Sequence, residues 1–393
     1  MTSASSRPTA DVRTERMATG GEAVARLDDG RVIFVQGALA DEAVVVEITE
    51  AKKRFARGVA VAITERSAHR VEPSCVHAAS GECGGCDWMH ITAAQQRFYK
   101  EAIVVEQLQR LGDVAQPNVS SPVFDRGHRT TVRCSVVAGQ AGYRTRRSEL
   151  SFNASECAAA DPALESLIVD GDFGDASEVT LRIGAGTGER MVITNGDPAR
   201  VVVPDEVQVV AGDSPGNAAV HYQVAGRIFR VSAQSFFQTS GAGAEALVAA
   251  VERSLATAEG DVVDLYAGVG LLGAGAANDR LRCAVESNPS SVADARHNLA
   301  SQVQVVGSRV ERWSPTPFGT VIADPARRGL AKDGVAVIDG TGASHLVLVS
   351  CDPASLGRDA GLLAQTGWEH QHAEVIDMFP DTSRIEVVST FVR

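Results

Sequence analysis

A cysteine in the C-terminal part of the chain, Cys351, stands directly after an apolar run, 345–350, in a setting that could support chemistry. Two segments that each contain an aspartate, a proline and an arginine flank it, 324–329 upstream and 377–386 downstream. A glycine-containing loop, 264–270, precedes all three. A thiol nucleophile, acid–base carboxylates and a loop able to hold a nucleotide indicate an enzyme when they occur in one module.

Cys351 has to be weighed against the usual fate of cysteine, which is to be a buried structural residue. A free thiol is also only slightly ionised near neutral pH and needs nearby donors or cations to become reactive. The position of Cys351 at the end of a strand, together with the motifs 324–329 and 377–386, nevertheless favours a nucleophile over a packing residue.

The loop 268–273 satisfies the G-x-G-x-x-G pattern of nucleotide-binding turns, and Glu286 follows at about the distance expected for a ribose-binding acid. Glycines permit the tight turn, and the helix that follows offers backbone N–H donors. The pattern alone does not distinguish a nicotinamide cofactor from S-adenosylmethionine, and a plain strand–turn–helix junction could also produce it.

Three cysteines, Cys75, Cys83 and Cys86, form a C-x7-C-x2-C cluster. Thiols this close in a reducing compartment predict a metal site that holds zinc or an iron–sulfur cluster. A fourth ligand is needed, and the candidates are Cys157, His77 and His90. The two cysteines within apolar strand patterns, Cys134 and Cys283, are interpreted as packing residues.

The elements that would position these residues alternate between strands and helices from residue 241 onward. The predicted order is helix 244–257, strand 261–266, helix 271–277, strand 282–286, helix 291–301, strand 320–323, helix 333–340, strand 346–350 and helix 355–366. This alternation predicts an α/β fold with a doubly wound, mostly parallel sheet. Gly268, Glu286, Asp324 and Cys351 would then meet at the carboxyl ends of the strands, where such sheets bind ligands.

The N-terminal part carries four strand-like runs, 23–27, 32–35, 43–48 and 58–63, with a hairpin signal at Asp28-Asp29-Gly30. These runs predict a small, five-stranded, OB-like barrel. A helix is expected at 92–111. Between 120 and 235 strands predominate, clearest at 131–137 and 228–232. The resulting division is a disordered tail at 1–10, a barrel at 11–66, a central α+β domain at 67–235 and a Rossmann-like domain at 236–393.

Composition bounds the class of protein. The 393 residues are 44% hydrophobic and 22% charged, as in a globular protein of two or three domains. No apolar run reaches the roughly 18 residues of a membrane span, and segment 1–10 lacks the apolar core of a signal peptide. Seven unevenly clustered cysteines argue against a secreted disulfide scaffold, so we expect a cytoplasmic protein.

The net charge of −12 argues at first against a nucleic-acid partner. Binding faces are local, however, and two segments are basic. The first contains Lys52, Lys53, Arg54, Arg57, Arg66 and Arg70, and the second contains Arg126, Arg129, Arg133, Arg144, Arg146 and Arg147. Such runs are commonly just solvated faces, so charge alone leaves RNA binding and simple solvation open.

Taken together, these segments resemble the RNA 5-methyluridine methyltransferases, the TrmA/RumA type that methylates C5 of uracil in tRNA or rRNA. The resemblance spans nearly the whole chain and implies an N-terminal TRAM barrel and a C-terminal class I methyltransferase domain. It implies S-adenosylmethionine contacts at Gln238, Tyr266, Gly268, Gly270, Glu286 and Asp324. It also implies a [4Fe–4S] cluster, with zinc as the less favoured occupant, on Cys75, Cys83, Cys86 and Cys157.

The family's chemistry, carried over by motif, makes Cys351 the nucleophile that adds to C6 of the target uracil. Glu386 would be the base that removes the C5 proton. Because the base must leave its stack to reach the thiol, the resemblance implies an unpaired uridine in rRNA or tRNA.

This chain departs from the family's usual residues at Leu271, Leu348, Asp352 and Arg384, and Ser308 is a weak match for the residue expected beside adenine. Three alternatives remain. A nicotinamide-dependent iron–sulfur oxidoreductase would not need the cysteine at 351. A TRAM-bearing radical enzyme would use a C-x3-C-x2-C triplet, and a silent RNA-binding relative would lack Cys351 or Glu386.

Overall fold

The computed structural model describes residues 7–123, 127–146 and 148–393. Most of the predicted tail and two cations of the second basic segment, Arg126 and Arg147, lie outside these ranges. The first strand already begins at Thr9, so the barrel starts two residues before the predicted boundary at 11.

The N-terminal part is a closed five-stranded barrel of order β1-β2-β3-β5-β4, as predicted. Its strands are β1 (Thr9–Met17), β2 (Ala23–Arg26), β3 (Val32–Gln36), β4 (Ala43–Ala51) and β5 (Phe55–Glu65). The predicted hairpin joins β2 to β3, where Gly30 adopts a φ of 83° that favours glycine. The strand without a sequence prediction is β1, whose charged residues alternate with buried positions and hide its apolar pattern.

The central part combines helices with a six-stranded sheet of order β12-β11-β10-β7-β8-β9 and a separate hairpin, β13-β14. Its helices are α1 (Val76–Ala79), α2 (Ala93–Gly112) and α3 (Pro162–Asp170). Its strands are β6 (Val119–Ser120), β7 (Thr131–Val137), β8 (Gln140–Arg144), β9 (Ser151–Asn153), β10 (Glu178–Ile183), β11 (Arg190–Thr194), β12 (Val207–Ala211), β13 (Ala219–Val224) and β14 (Arg227–Ser232). The helix expected at 92–111 corresponds to α2.

The C-terminal part contains the predicted α/β sheet. Its helices are α4 (Gly241–Ser254), α5 (Pro289–Asn298), α6 (Ala331–Gly340) and α7 (Pro353–Ala364), with a π-helical turn at Gly273–Ala277. Its strands are β15 (Val262–Leu265), β16 (Leu281–Glu286), β17 (Gln304–Gly307), β18 (Thr320–Ala323), β19 (His345–Ser350), β20 (Glu369–Ile376) and β21 (Glu386–Val392). The sheet order is β17-β16-β15-β18-β19-β21-β20-β6.

Five neighbouring strands of this sheet, in the order β17-β16-β15-β18-β19, run parallel. Their carboxyl ends share one edge. The last two strands were not predicted: β21 lies between β19 and β20 and runs antiparallel to both. Because β21 runs in the opposite direction, its first residue lies at the edge where the parallel strands end.

The sheet also includes segments from the central part. β6 pairs with β20, and α2 packs along α7. This helix contact is close: a Cβ built on Gly357 would lie 2.4 Å from the carbonyl oxygen of Gln107. None of the helices in the described ranges combines the length and the apolarity that crossing a lipid bilayer requires.

Candidate active site

A cavity of about 960 Å³ opens at the carboxyl ends of the parallel strands. It brings together most of the residues that the sequence singled out, which are separated by up to 148 positions along the chain. Its lining includes Gln238, Tyr266, Gly268, Glu286, Asp324, Cys351 and Glu386. The barrel contributes Thr19 and Gly20 to the same wall, so the cavity lies beside the N-terminal barrel.

Cys351 and Glu386 meet because of strand register. β19 and β21 are antiparallel and pair Ser350 with Val387, so the residue after β19 lies opposite the first residue of β21. Glu386 is buried, whereas the thiol of Cys351 is half-buried on the cavity wall.

The Cys351 thiol and two carboxyl groups beside it have raised pKa values. Burial raises the pKa of Asp324 to about 7, and burial together with the charge of Asp324 raises the pKa of Glu386 well above its usual range. Burial, followed by the charges of Glu386 and Asp324, raises the pKa of the Cys351 thiol to about 11. Arg327 opposes that last shift. Near neutral pH the free site therefore holds protons that a bound substrate could accept or redistribute.

Glu286 ends β16, and backbone N–H groups hold its carboxylate in place. Its carboxylate accepts the N–H of Gly268 at 3.0 Å and the N–H groups of Ser287 and Asn288 at 2.6 Å each. This arrangement holds an acid at the end of the second strand of the nucleotide-binding unit, where ribose hydroxyls are commonly bound.

Asp264 is a further acidic residue on the cavity wall, and the sequence analysis had not assigned it a role. One oxygen accepts the N–H of Gly273 at 2.9 Å, while Oδ1 is buried and has no hydrogen-bond partner among the described residues. Burial raises its pKa to about 7. An acceptor in this state fits a ligand that brings its own N–H donor, which the ammonium group of S-adenosylmethionine would supply.

The two glycines of the loop differ in position. Gly268 lines the cavity, whereas Gly270 is not among the lining residues, and a cofactor contact at Gly270 stays a prediction. Gly270 has a φ of 89°, and a Cβ on it would lie 2.7 Å from a side-chain carbon of Leu299. A glycine is therefore needed there for close packing, and sequence pattern alone cannot separate that need from ligand contact.

Tyr266 lies on the wall with a φ of 61°, an unusual backbone conformation for this residue type. Its hydroxyl donates to Glu311 at 3.3 Å, and Glu311 forms an ion pair with Arg328 at 3.0 Å. Glu311 and Arg328 both line the cavity. Sequence reasoning missed Glu311, which lies in a short helical turn with no motif around it.

Segment 377–386 is anchored to α2 by buried polar contacts. The ammonium of Lys100 donates to Asp377 at 2.6 Å and to the carbonyl of Phe379 at 3.0 Å. The amide of Gln96 donates to Asp381 at 3.0 Å. These contacts hold the segment that leads into Glu386, and no local sequence pattern linked α2 to it.

The departures from the family pattern have structural roles in this chain. Leu348 is fully buried in β19, and Asp352 caps α7 by accepting the N–H of Ser355 at 2.7 Å. Leu271, Ser308 and Arg384 line the cavity.

The four predicted metal ligands lie in the central part. Cys83 and Cys86 both lie near Cys157. The sulfur of Cys157 accepts a hydrogen bond from the hydroxyl of Tyr143 at 3.1 Å. Cys75 lies beside Glu156. Within the described ranges no three His, Cys, Asp or Glu side chains form a group that could hold a metal ion. The thiols of Cys83, Cys86 and Cys157 are neighbours, but the four cysteines do not form such a group. Cys134 and Cys283 are buried, as predicted.

The first basic segment is largely neutralised. Four of its six cations form ion pairs, in the couples Lys52–Glu50, Arg57–Glu22, Arg66–Glu72 and Arg70–Glu42. The last couple is buried and holds the barrel together. Charge alone left RNA binding and simple solvation open for this segment, and these ion pairs show that four of its cations have acidic partners within the chain.

Comparisons with known proteins agree with this architecture. Residues 8–61 match the model of the TRAM domain. The chain is 34% identical to a protein of Streptomyces avermitilis described as an uncharacterized RNA methyltransferase, over 96% of this chain and 97% of the relative. It is 28% identical to the 23S rRNA (uracil(1939)-C(5))-methyltransferase RlmD of Vibrio cholerae, over 97% of this chain and 95% of that protein.

A solved structure shares the whole fold. The Pyrococcus abyssi tRNA (uracil-54, C5)-methyltransferase in complex with S-adenosyl-L-homocysteine superposes with a TM-score of 0.73. The match covers 97% of this chain and 99% of that one at 23% identity. The barrel, the central part and the C-terminal sheet thus occur together in a known protein.

Proposed function

Because the chain belongs to the family of RNA methyltransferases, among them uracil-C5 enzymes, we propose that it methylates C5 of a uridine in rRNA or tRNA. The observation that carries the proposal is the joint position of Cys351 and Glu386 in a cavity that also contains Gly268 and Glu286. A thiol beside a nucleotide-binding loop and a buried carboxyl suits nucleophilic catalysis on a base.

S-adenosylmethionine, when bound, supplies an electrophilic methyl group. Glu286 would hold the ribose hydroxyls, and the unpaired oxygen of Asp264 would accept an N–H of the amino acid portion. Gln238 and Tyr266, which also line the cavity, would complete the pocket. All of these residues line one cavity. The carboxylates of Glu286 and Asp264 already accept some of the hydrogen bonds that they can form.

In the proposed reaction the Cys351 thiolate forms a bond to C6 of uracil, and the electrons of the C5–C6 double bond move toward the O4 carbonyl. C5 would become nucleophilic and take the methyl group that S-adenosylmethionine supplies, with S-adenosylhomocysteine as the leaving group. Glu386 then removes the C5 proton, the double bond forms again, and the sulfur leaves as a thiolate. Covalent addition divides one difficult step into easier ones, and a positioned base contributes about 10²–10⁴-fold.

The raised pKa values around the thiol suit this sequence. A thiol whose pKa lies near 11 is mostly protonated in the empty site, so it must lose its proton before it can add to C6 of uracil. Burial and the charge of Asp324 raise the pKa of Glu386, so its ionised form binds a proton more strongly than an exposed carboxylate does.

A nicotinamide-dependent oxidoreductase is not favoured, because the similar proteins are methyltransferases and hydride transfer has no use for the thiol. An iron–sulfur cluster on Cys75, Cys83, Cys86 and Cys157 remains a separate proposal, without a role in the chemistry above. Iron and sulfide analysis of protein purified without oxygen tests it, and a protein free of both would remove it.

The proposed function is tested with RNA that contains 5-fluorouridine. Fluorine at C5 cannot leave as a proton, so Glu386 cannot complete elimination and the RNA stays bound to Cys351. We expect a covalent complex on denaturing gels with S-adenosylmethionine present, retained in Glu386→Gln and lost in Cys351→Ser. Cys283→Ala, which removes a thiol from the same sheet outside the cavity, is the matched control. A complex that persisted in Cys351→Ser would contradict the mechanism.

A further inference from the structure

Three arginines from distant parts of the chain lie near one another, two of them on the cavity wall. Arg327 follows β18, Arg384 precedes β21, and both line the cavity beside Cys351. Arg129 precedes β7, where its backbone bridges to Ser240 and its guanidinium donates to the carbonyl of Gly85 at 3.4 Å. Arg384 lies within electrostatic range of both other arginines.

This cluster carries uncompensated positive charge. No ion pair involves Arg129, Arg327 or Arg384 in the part of the chain that the structure describes, whereas the neighbouring Arg328 pairs with Glu311. The carboxylate with the largest electrostatic effect on Arg384 is that of Asp87. It already accepts the N–H of Ser383 at 2.9 Å.

Arg327 and Arg129 both repel Arg384. Burial, followed by the charges of Arg327 and Arg129, lowers the pKa of Arg384. In a chain with a net charge of −12, this repulsion is costly to keep unless an anion joins the arginines.

We propose that Arg129, Arg327 and Arg384 form a binding site for the RNA phosphodiester that adjoins the target uridine, a proposal that rests on the proposed function. Phosphate contacts fix the position and register of a nucleic acid, and arginine binds phosphate oxygens in a bidentate manner. A held backbone phosphate would let the uracil turn out of its stack into the cavity.

The cluster could instead stabilise another anion, the thiolate of Cys351. Arg327 lowers the pKa of the thiol and Arg384 also interacts electrostatically with Cys351, but burial and the two carboxyls still leave that pKa at about 11. The cluster therefore does not balance the charge of the thiolate in the free protein, which favours an anion that arrives with the substrate.

The test uses a single-stranded oligonucleotide with a central 5-fluorouridine and a twin in which the two flanking linkages are uncharged methylphosphonates. For the wild-type protein the neutral linkages should weaken binding by about tenfold or more. In Arg384→Gln the charged oligonucleotide should bind more weakly, and the neutral linkages should cost little further affinity. The salt dependence of binding should also lose about 0.7 in slope for the one phosphate contact removed.

Arg282→Gln is the matched control, because Arg282 pairs with Asp261 at 3.2 Å at the opposite end of the strands. Arg129→Gln provides a second variant, and S-adenosylmethionine binding reports that each variant is folded. Equal losses from the neutral linkages in wild type and both variants would overturn the proposal. So would a loss of thiol alkylation in Arg384→Gln with unchanged RNA affinity, since the cluster would then serve Cys351.

The outcomes separate this proposal from the one on which it rests. If the wild-type protein traps the charged and the neutral oligonucleotide equally well, the proposed phosphate site is wrong and the methylation chemistry stands. Linkage-dependent binding without any trapping would leave the phosphate site and remove the methylation chemistry.

Discussion

Cys351 lies opposite Glu386 because one antiparallel strand, β21, is inserted beside β19 in an otherwise parallel region of the sheet. The charge of Glu386 is second to burial in raising the pKa of the thiol. The residue proposed as base therefore also holds the nucleophile protonated until a substrate separates or neutralises the two groups.

The reactivity of Cys351 should depend on pH and on Glu386. Because the pKa of the thiol is about 11, its alkylation by iodoacetamide should keep rising with pH beyond pH 9. At pH values where Glu386 is ionised, Glu386→Gln removes a negative neighbour of the thiol and should raise the alkylation rate by up to about tenfold, the factor for one pKa unit. Mass spectrometry of the modified peptide measures the rate, and a slower reaction in the variant would contradict the assignment.

Asp264 should destabilise the free protein as pH rises. Its pKa is about 7 when folded and about 4 when unfolded, so between these values the folded state holds more protons and the free energy of unfolding falls with increasing pH. Asp264→Asn keeps an acceptor for the N–H of Gly273. It should raise the Tm by several degrees at pH 8, leave it nearly unchanged at pH 4, and weaken S-adenosylmethionine binding.

Thermal unfolding at both pH values, with calorimetric titration of the cofactor, measures these effects. Asp261→Asn, an exposed change at the other end of the same strand, is the control. A variant that is less stable than wild type at pH 8 would show that the carboxylate is stabilised by a partner.

Lys100 should be essential for the stability of segment 377–386. Lys100→Met deprives the buried carboxylate of Asp377 of this cation and should cost about 3–5 kcal/mol. Urea unfolding measures the loss, and Lys100→Met with Asp377→Leu should recover much of it. Arg66→Met, which breaks the exposed pair with Glu72, should cost less than about 1 kcal/mol. A cost as small as that for Lys100→Met would mean that the segment holds its place without the ion pair.

Phe236 should serve RNA binding and not folding. Its ring lines the cavity and is 64% exposed, so Phe236→Ala should leave the free energy of unfolding nearly unchanged. RNA affinity should fall by about 1–3 kcal/mol if the ring stacks on a base. Ile228→Ala, an equally exposed apolar residue outside the cavity lining, is the control for both measurements.

The sequence predicted the elements with clear periodicity or motifs. The barrel hairpin at Gly30, helix α2 and the parallel strands that end near Glu286 and Cys351 all follow from local pattern, as does the convergence of these residues at one edge. Each of these features depends on residues close together in the chain.

The parts that were not predicted depend on distant contacts. β21 is buried on both sides and has no alternation to distinguish it, and its antiparallel direction is set by β19 and β20. Lys100 reads as an ordinary helix cation, although Asp377 makes it a buried anchor. Gly270 fits a ligand-binding pattern, and its close neighbour Leu299 also requires a glycine there.

The close seating of α2 on α7, with β6 on the outer edge of β20, has a consequence for how the enzyme can be made. A fragment containing residues 236–393 alone would leave β20 as an uncovered edge, uncover the apolar face of α7 and release the loop before Glu386. Such a fragment should aggregate during expression. The C-terminal part therefore folds only when the upstream residues, which the ribosome synthesises first, are present to complete it.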